Sequence, residues 1–142
     1  RDWLVSVAYT VRRNPELGFR EVKTSRLVSR KLTELGVGHV NGIALTGVKG
    51  YLQGNGEGPT IAIIGELDAL RVHGHPDADP VTGAAHACGH NCQIGMMLGV
   101  AVALGAPGVL DGLTGRVALM ALPALPVLPV LPVVVELFES SL

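Results

Sequence analysis

The sequence predicts an α/β domain with helices packed on a mixed sheet, and three observations carry that expectation. Apolar residues recur at i, i+3 and i+4 spacing over residues 3–13 and again over residues 21–35. Two short apolar runs, 47–53 and 60–65, have the length and composition of strands. A third helical pattern at 91–104 and a further apolar run at 116–122 then follow. Helices alternating with strands from about residue 21 onwards are what a sheet with helices laid against it requires.

Each element has its own signature. Trp3, Leu4, Val7, Ala8 and Val11 form the apolar stripe of the first helix. Asn14-Pro15 ends it, because the residue before a proline is driven out of the α region. Leu27, Val28, Leu32 and Leu35 line the second helix, and Gly36 supplies its terminator. The strands 47–53 and 60–65 are joined by the turn Gly54-Asn55-Gly56-Glu57-Gly58-Pro59. Ile61-Ala62-Ile63-Ile64 is apolar at successive positions, the pattern of a central strand covered on both faces. Residues 71–85 have Gly, His, Asp and Pro without periodicity and read as a loop. In the third helix Ile94, Met97, Leu98, Ala101 and Val102 share a face, and the Met96–Met97 pair reads as core packing.

Composition narrows the function classes. A chain of 142 residues with 48% hydrophobic and 16% charged residues is one folded domain, large enough for a real core. The formal net charge of −1 and the five aromatic side chains (two Phe, two Tyr, one Trp) give no support to a nucleic-acid partner. The early cluster of Lys and Arg lies among apolar residues at helical spacing, so it reads as a solvated helix face. Cys88 and Cys92 are too few and too close for a disulfide framework, and reduced cysteines fit a cytoplasmic chain. No signal segment opens the sequence, and Arg1 in place of Met predicts a missing start.

The last residues break the α/β pattern. Prolines at 123, 126, 129 and 132 repeat every third position within an uncharged stretch from Val117 to Val135. A membrane span is not expected, because these prolines remove successive helix donors and an extended backbone cannot satisfy its carbonyls in lipid. Residues 123–142 are therefore expected to be an irregular, proline-rich apolar tail from a truncated or altered reading frame, not natively packed. Such a tail, with an exposed sheet edge, predicts self-association.

The chemistry concentrates in Ala84-Ala85-His86-Ala87-Cys88-Gly89-His90-Asn91. Thiolate and neutral imidazole both suit zinc and its neighbours, and Gly89 lets the backbone turn so that Cys88 and His90 can face one ion. Glu66-Leu67-Asp68 ends an apolar run about 20 residues upstream. A buried, unligated cysteine beside a capping histidine is the alternative reading of the same residues.

Three motifs in order carry a family resemblance: Asn14-Pro15-Glu16-Leu17-Gly18-Phe19, Gly65-Glu66-Leu67-Asp68-Ala69-Leu70, and Gly83-Ala84-Ala85-His86-Ala87-Cys88-Gly89-His90-Asn91 with Met96-Met97-Leu98-Gly99. The series resembles the metal-dependent amidohydrolases related to indole-acetyl-amino-acid hydrolase, aminoacylase and the dinuclear-metal carboxypeptidases. The resemblance implies the N-terminal part of a zinc-peptidase-like catalytic domain over residues 1–122. It implies cleavage of an amide bond in a small-molecule N-acyl amino acid or peptide, with two divalent ions, zinc or manganese. Cys88 and His90 would be metal ligands. Asp68 would be the catalytic carboxylate that orients the site, against a plain strand-end cap. Glu66 stands where many relatives have a ligand histidine, so the resemblance assigns it no direct metal role. His86 is expected to fix the loop, His73 and His75 to border a substrate entrance or face solvent, and Arg12 to have no family role.

The departures matter as much. Relatives continue the last strand into a Pro-Ala-Glu-Glu type element that supplies a general base and a further ligand. Here the sequence runs Leu122-Pro123-Ala124-Leu125-Pro126, without paired glutamates, and Glu136 and Glu139 are the only carboxylates downstream. Two later ligand histidines and the inserted dimerisation domain would lie beyond residue 142. A catalytic zinc site uses about three protein ligands, and an expected general base is worth roughly 10²–10⁴-fold in rate. The chain is therefore expected to be an incomplete, weak or inactive form. The alternatives are a non-catalytic remnant acting as a binding or association module, and a structural metal-binding domain built on Cys88, His90 and Cys92.

Overall fold

In the computed structural model, which describes residues 2–123, three helices lie on one face of a four-stranded mixed sheet. Helices α1 (Asp2–Arg13) and α2 (Val22–Glu34) precede strands β1 (His39–Ile43), β2 (Gly47–Gln53) and β3 (Thr60–Glu66). Two-residue strands β4 (Leu70–Arg71) and β5 (Ala84–Ala85) follow, then α3 (His90–Leu104) and β6 (Arg116–Leu122). The sheet order is β1-β2-β6-β3, with β6 antiparallel to β2 and parallel to β3. The α/β expectation, the three helices and the strands at 47–53, 60–66 and 116–122 are all present.

Alternation along β6 separates the two faces. Leu119 and Ala121, with Val117, join Val48, Leu52 and Ile63 under Val7, Val11, Val28, Leu32, Ile94, Met97, Leu98 and Ala101 of the helices. Ala118, Met120 and Leu122 point the other way and form a smaller cluster with Ile43, Tyr51 and Ala62. The predicted stripes of α1 and α2 hold. In α3, Met97 is buried as expected, whereas Met96 is 63% exposed and Val102 is 39% exposed.

Three features differ from the sequence reading. Strands β2 and β3 follow each other through the turn 54–59 but do not pair, because β6 enters between them. The entry depends on glycine: a Cβ on Gly115 would stand 2.1 Å from the Pro59 carbonyl oxygen, and one on Gly54 would meet the Leu113 oxygen at 2.5 Å. Second, β3 is an edge strand of the described sheet instead of a central one, with Ile61 58% and Ile64 47% exposed. Its apolar run reads as central because both of its faces carry apolar residues, and nothing local states which edges are paired. Third, the stretch read as loop is closed at its neck by β4 and β5, with Val72 N–H donating to Gly83 O at 2.9 Å. Strand β1 gave no strand signal, since His-Val-Asn-Gly-Ile does not alternate.

Among the described residues no helix is long and apolar enough to cross a membrane. Both cysteines are free and exposed. The expected tail, with Glu136 and Glu139, lies outside the described residues beyond Pro123.

Candidate metal centre

Strand β3 delivers two carboxylates to the beginning of α3. The ladder to β6 runs one residue past the strand, Leu67 N–H donating to Leu122 O at 2.8 Å, so Glu66 and Asp68 project two residues apart from an extended backbone. Leu67 between them is fully buried and anchors the turn. Gln93 of α3 accepts the Glu66 N–H at 3.0 Å, which fixes the helix against the strand end. Gly65 permits that approach, because a Cβ there would lie 3.2 Å from Ile94 Cδ1. Ala69 N–H donates to Glu16 O at 2.7 Å, tying the Asn-Pro-Glu segment to the same corner.

The β4–β5 neck then returns the chain to α3. Gly89, with φ of +82°, occupies the N-cap in the left-handed conformation that glycine adopts freely, and His90 becomes the first helical residue. Asn91 fastens this turn to α1 by donating to Ala8 O at 3.3 Å.

The three side chains converge. His90 Nε2 lies 3.0 Å from Glu66 Oε2, and His90 Nδ1 lies 3.0 Å from Asp68 Oδ1 and 3.0 Å from the Asp68 main-chain oxygen. Asp68 is buried, and His90 and Glu66 are partly so. Burial pushes the Asp68 carboxyl above its ordinary value; His90 opposes that shift and Glu66 adds to it. A neutral imidazole donates through one nitrogen only, so contacts to a carboxylate on each side call for an extra proton or a cation in the cluster.

That demand is the test of fit for a metal. One ligand atom from each of Glu66, Asp68 and His90 lies within 4.8 Å of the others. Two carboxylate oxygens and an imidazole are a donor set for borderline and hard divalent ions such as zinc or manganese. The residues fit a divalent cation.

The expected site residues thus fall into two groups. Asp68 and His90 are brought together. Cys88 is exposed and stands outside the three-residue cluster. Glu66, to which the resemblance assigns no metal role, belongs to the cluster; the signal that points to it is the period-two pairing of Glu66 with Asp68 at a strand end. His86 packs in the loop with both ring nitrogens buried and without a hydrogen-bond partner among the described residues. Burial, then the charge of His90, pushes its imidazole down to about 4, while Glu16 opposes the shift. His73 is exposed, and His75 Nδ1 accepts the Asp77 N–H at 3.1 Å. Arg12 pairs with Asp77 and so holds the loop to the end of α1.

No protein-family profile matches the sequence. The chain is 40% identical over 103 residues to IAA-amino acid hydrolase ILR1-like 5 of Arabidopsis thaliana, covering 70% of this chain and 23% of that protein. It is 38% identical over 107 residues to thermostable carboxypeptidase 2 of Saccharolobus solfataricus, covering 72% and 27%. Its fold superposes on a Bacillus subtilis protein described as a dinuclear metal binding peptidase from the M20 family, with a TM-score of 0.79 and 30% identity, over 95% of this chain and 40% of that one. The chain spans about a quarter of the length of the curated relatives it matches.

Proposed function

We propose that this chain, which belongs to the metal-dependent amidohydrolase and peptidase family, carries part of a divalent-metal site serving hydrolysis of the amide bond in N-acyl amino acids or small peptides. The observation that supports this reading is the convergence of Glu66 and Asp68 on the two nitrogens of His90, 3.0 Å on each side. Zinc or manganese is the ion proposed, in a cytoplasmic setting that keeps Cys88 and Cys92 reduced.

His90 and Glu66 would hold the ion. Asp68, bonded to His90 Nδ1, would orient the ring and raise its basicity, as carboxylates behind ligand histidines do. Cys88, two residues before His90, would add a thiolate. When bound, a divalent ion supplies polarisation of an amide carbonyl and a hydroxide near neutral pH. Residues 1–122 constitute a partial catalytic domain in this reading, and residues 123–142 a tail. Residues 117–126 offer no carboxylate to act as general base. The 142-residue chain by itself is accordingly proposed to be weak or inactive, and to associate with further copies through its sheet edge.

Metal content after dialysis tests the site. The wild-type chain should retain one or two equivalents of zinc or manganese, and His90→Ala and Cys88→Ser should each lose ion. Absence of bound ion in the wild type would overturn the metal reading. Ready turnover of N-acetyl amino acids by the 142-residue chain, abolished by Cys88→Ser, would instead overturn the proposal that it is inactive alone.

A further inference from the structure

The geometry points to Gln93 as a positioning residue of the metal corner, which holds Glu66 and His90 as one unit and so sets how tightly they grip an ion. The inference rests on the metal-binding reading of Glu66, Asp68 and His90 and goes beyond it, to the residue that fixes their spacing.

The two carboxylates are held by different parts of the fold. Asp68 lies between Leu67, whose N–H donates to Leu122 O at 2.8 Å, and Ala69, whose N–H donates to Glu16 O at 2.7 Å. It is thus tied on one side to β6 and on the other to the segment before α2. Glu66 is placed otherwise. N–H groups alternate in direction along a strand, so with Leu67 bonded to β6 the Glu66 N–H points away from it. Gln93 Oε1 accepts that N–H at 3.0 Å.

Gln93 stands three residues after His90 on α3, and residues at i and i+3 share a helix face. One face of one helix therefore meets Glu66 twice. His90 Nε2 lies 3.0 Å from the Glu66 carboxylate, and Gln93 takes the main-chain N–H of the same residue. The turn that joins them is closed by Cys92 N–H and Gln93 N–H, which donate to Gly89 O at 2.8 Å and 3.2 Å. A Cβ on Gly65 would lie 3.4 Å from the Gln93 main-chain oxygen, so the strand end and this turn are already in close contact. A movement of α3 against β3 carries Gln93 and His90 together, and Glu66 with them. Without the Gln93 bond, Glu66 would meet His90 only at the end of a long, freely turning side chain. Ligands work when held to within about 0.5 Å of their bonding positions, and groups that orient them are worth roughly 10–100-fold in affinity.

Zinc affinity of the full chain, measured by competition with a chelator, tests this in a double-mutant cycle. Gln93→Met removes the acceptor at similar volume and should weaken binding about tenfold. Gln93→Ala takes its place if the methionine variant does not fold. Gln93→Glu keeps the acceptor oxygen and should bind zinc at least as tightly as the wild type. In a Glu66→Ala background Gln93→Met should cost less than about twofold, because the carboxylate it positions is gone. In the metal-free chain, the NMR signal of His90 Nε2 should shift in Gln93→Met as its contact with Glu66 loosens. An equal loss of affinity in both backgrounds would reduce Gln93 to a fastener of helix to strand and overturn the inference. So would a folded Gln93→Met with wild-type affinity and an unmoved imidazole signal. A wild type that binds no zinc counts against the metal reading instead; the imidazole signal then decides for Gln93, and its constancy sinks the inference.

Discussion

Two pairs of carboxylates sit at the beginnings of two helices, and they differ in what faces them. At the start of α2, Glu16 accepts the Lys23 N–H (3.0 Å), the Thr24 N–H (2.9 Å) and the Thr24 hydroxyl (3.0 Å). Glu21, fully buried, accepts the Phe19 N–H at 2.8 Å and the Thr46 hydroxyl at 2.7 Å. At the start of α3, Glu66 and Asp68 face the imidazole of His90 instead. Neutral backbone and hydroxyl donors hold a carboxylate still and use up its oxygens. An imidazole set between two carboxylates leaves a requirement for positive charge that a proton or a metal ion can meet. Residue type and burial alone would not have told the structural pair from the chemical one.

Breaking the structural pair should cost most. Glu21→Ala strands a buried hydroxyl and a part-buried amide, so we expect a loss of about 2–3 kcal/mol, read as a shift of the denaturant midpoint, while the folded fraction still binds metal. His86, which feels the charges of both His90 and Glu16, should give the next largest effect, and its sign follows from its depressed pKa. An unfolded histidine protonates near 6.5, whereas the folded one does so at about 4. As pH falls from about 6.5 to about 4 the unfolded state takes up the proton first, and stability should decline by on the order of 2 kcal/mol in the metal-free chain. His86→Phe should flatten that part of the pH–stability profile; an unchanged slope would assign it to another group.

Smaller effects sharpen the contrast. Glu16→Ala removes the acceptor for the first amides of α2 and should destabilise by about 1 kcal/mol, visible in thermal unfolding and without effect on metal content. Glu66→Gln should change stability least, by roughly 0.5 kcal/mol or less. It should nevertheless weaken metal binding about tenfold or more in competition with a chelator. Were Glu66→Gln to destabilise as strongly as Glu21→Ala with metal binding intact, the distinction between the two pairs would fail.

Much of this was legible along the chain. Periodicity located α1, α2 and α3 to within a residue or two, because each helix buries one stripe against a single core. The strands at 47–53, 60–65 and 116–122 announced themselves by apolar runs of strand length. The order of the three motifs pointed to the corner where β3 meets α3, and Asp68 and His90 do meet there. Strand β1 was illegible because its residues are mostly exposed and carry no alternation. Glu66 is not legible in the resemblance, because a residue-by-residue match asks what type stands at a position, whereas the cluster depends on two carboxylates sharing one side of an extended backbone.

The sequence by itself determined the elements, the helix stripes and the segments that bear chemistry, since these depend on spacing within a few residues. Only the tertiary structure decided that β6 separates β2 from β3 and that β3 is an edge. It also decided that Glu66 faces His90 while Cys88 stays exposed. Those outcomes depend on pairings between residues tens of positions apart, on glycines such as Gly54 and Gly115 that let two loops pass, and on which donors meet which carboxylates, and no local pattern encodes them.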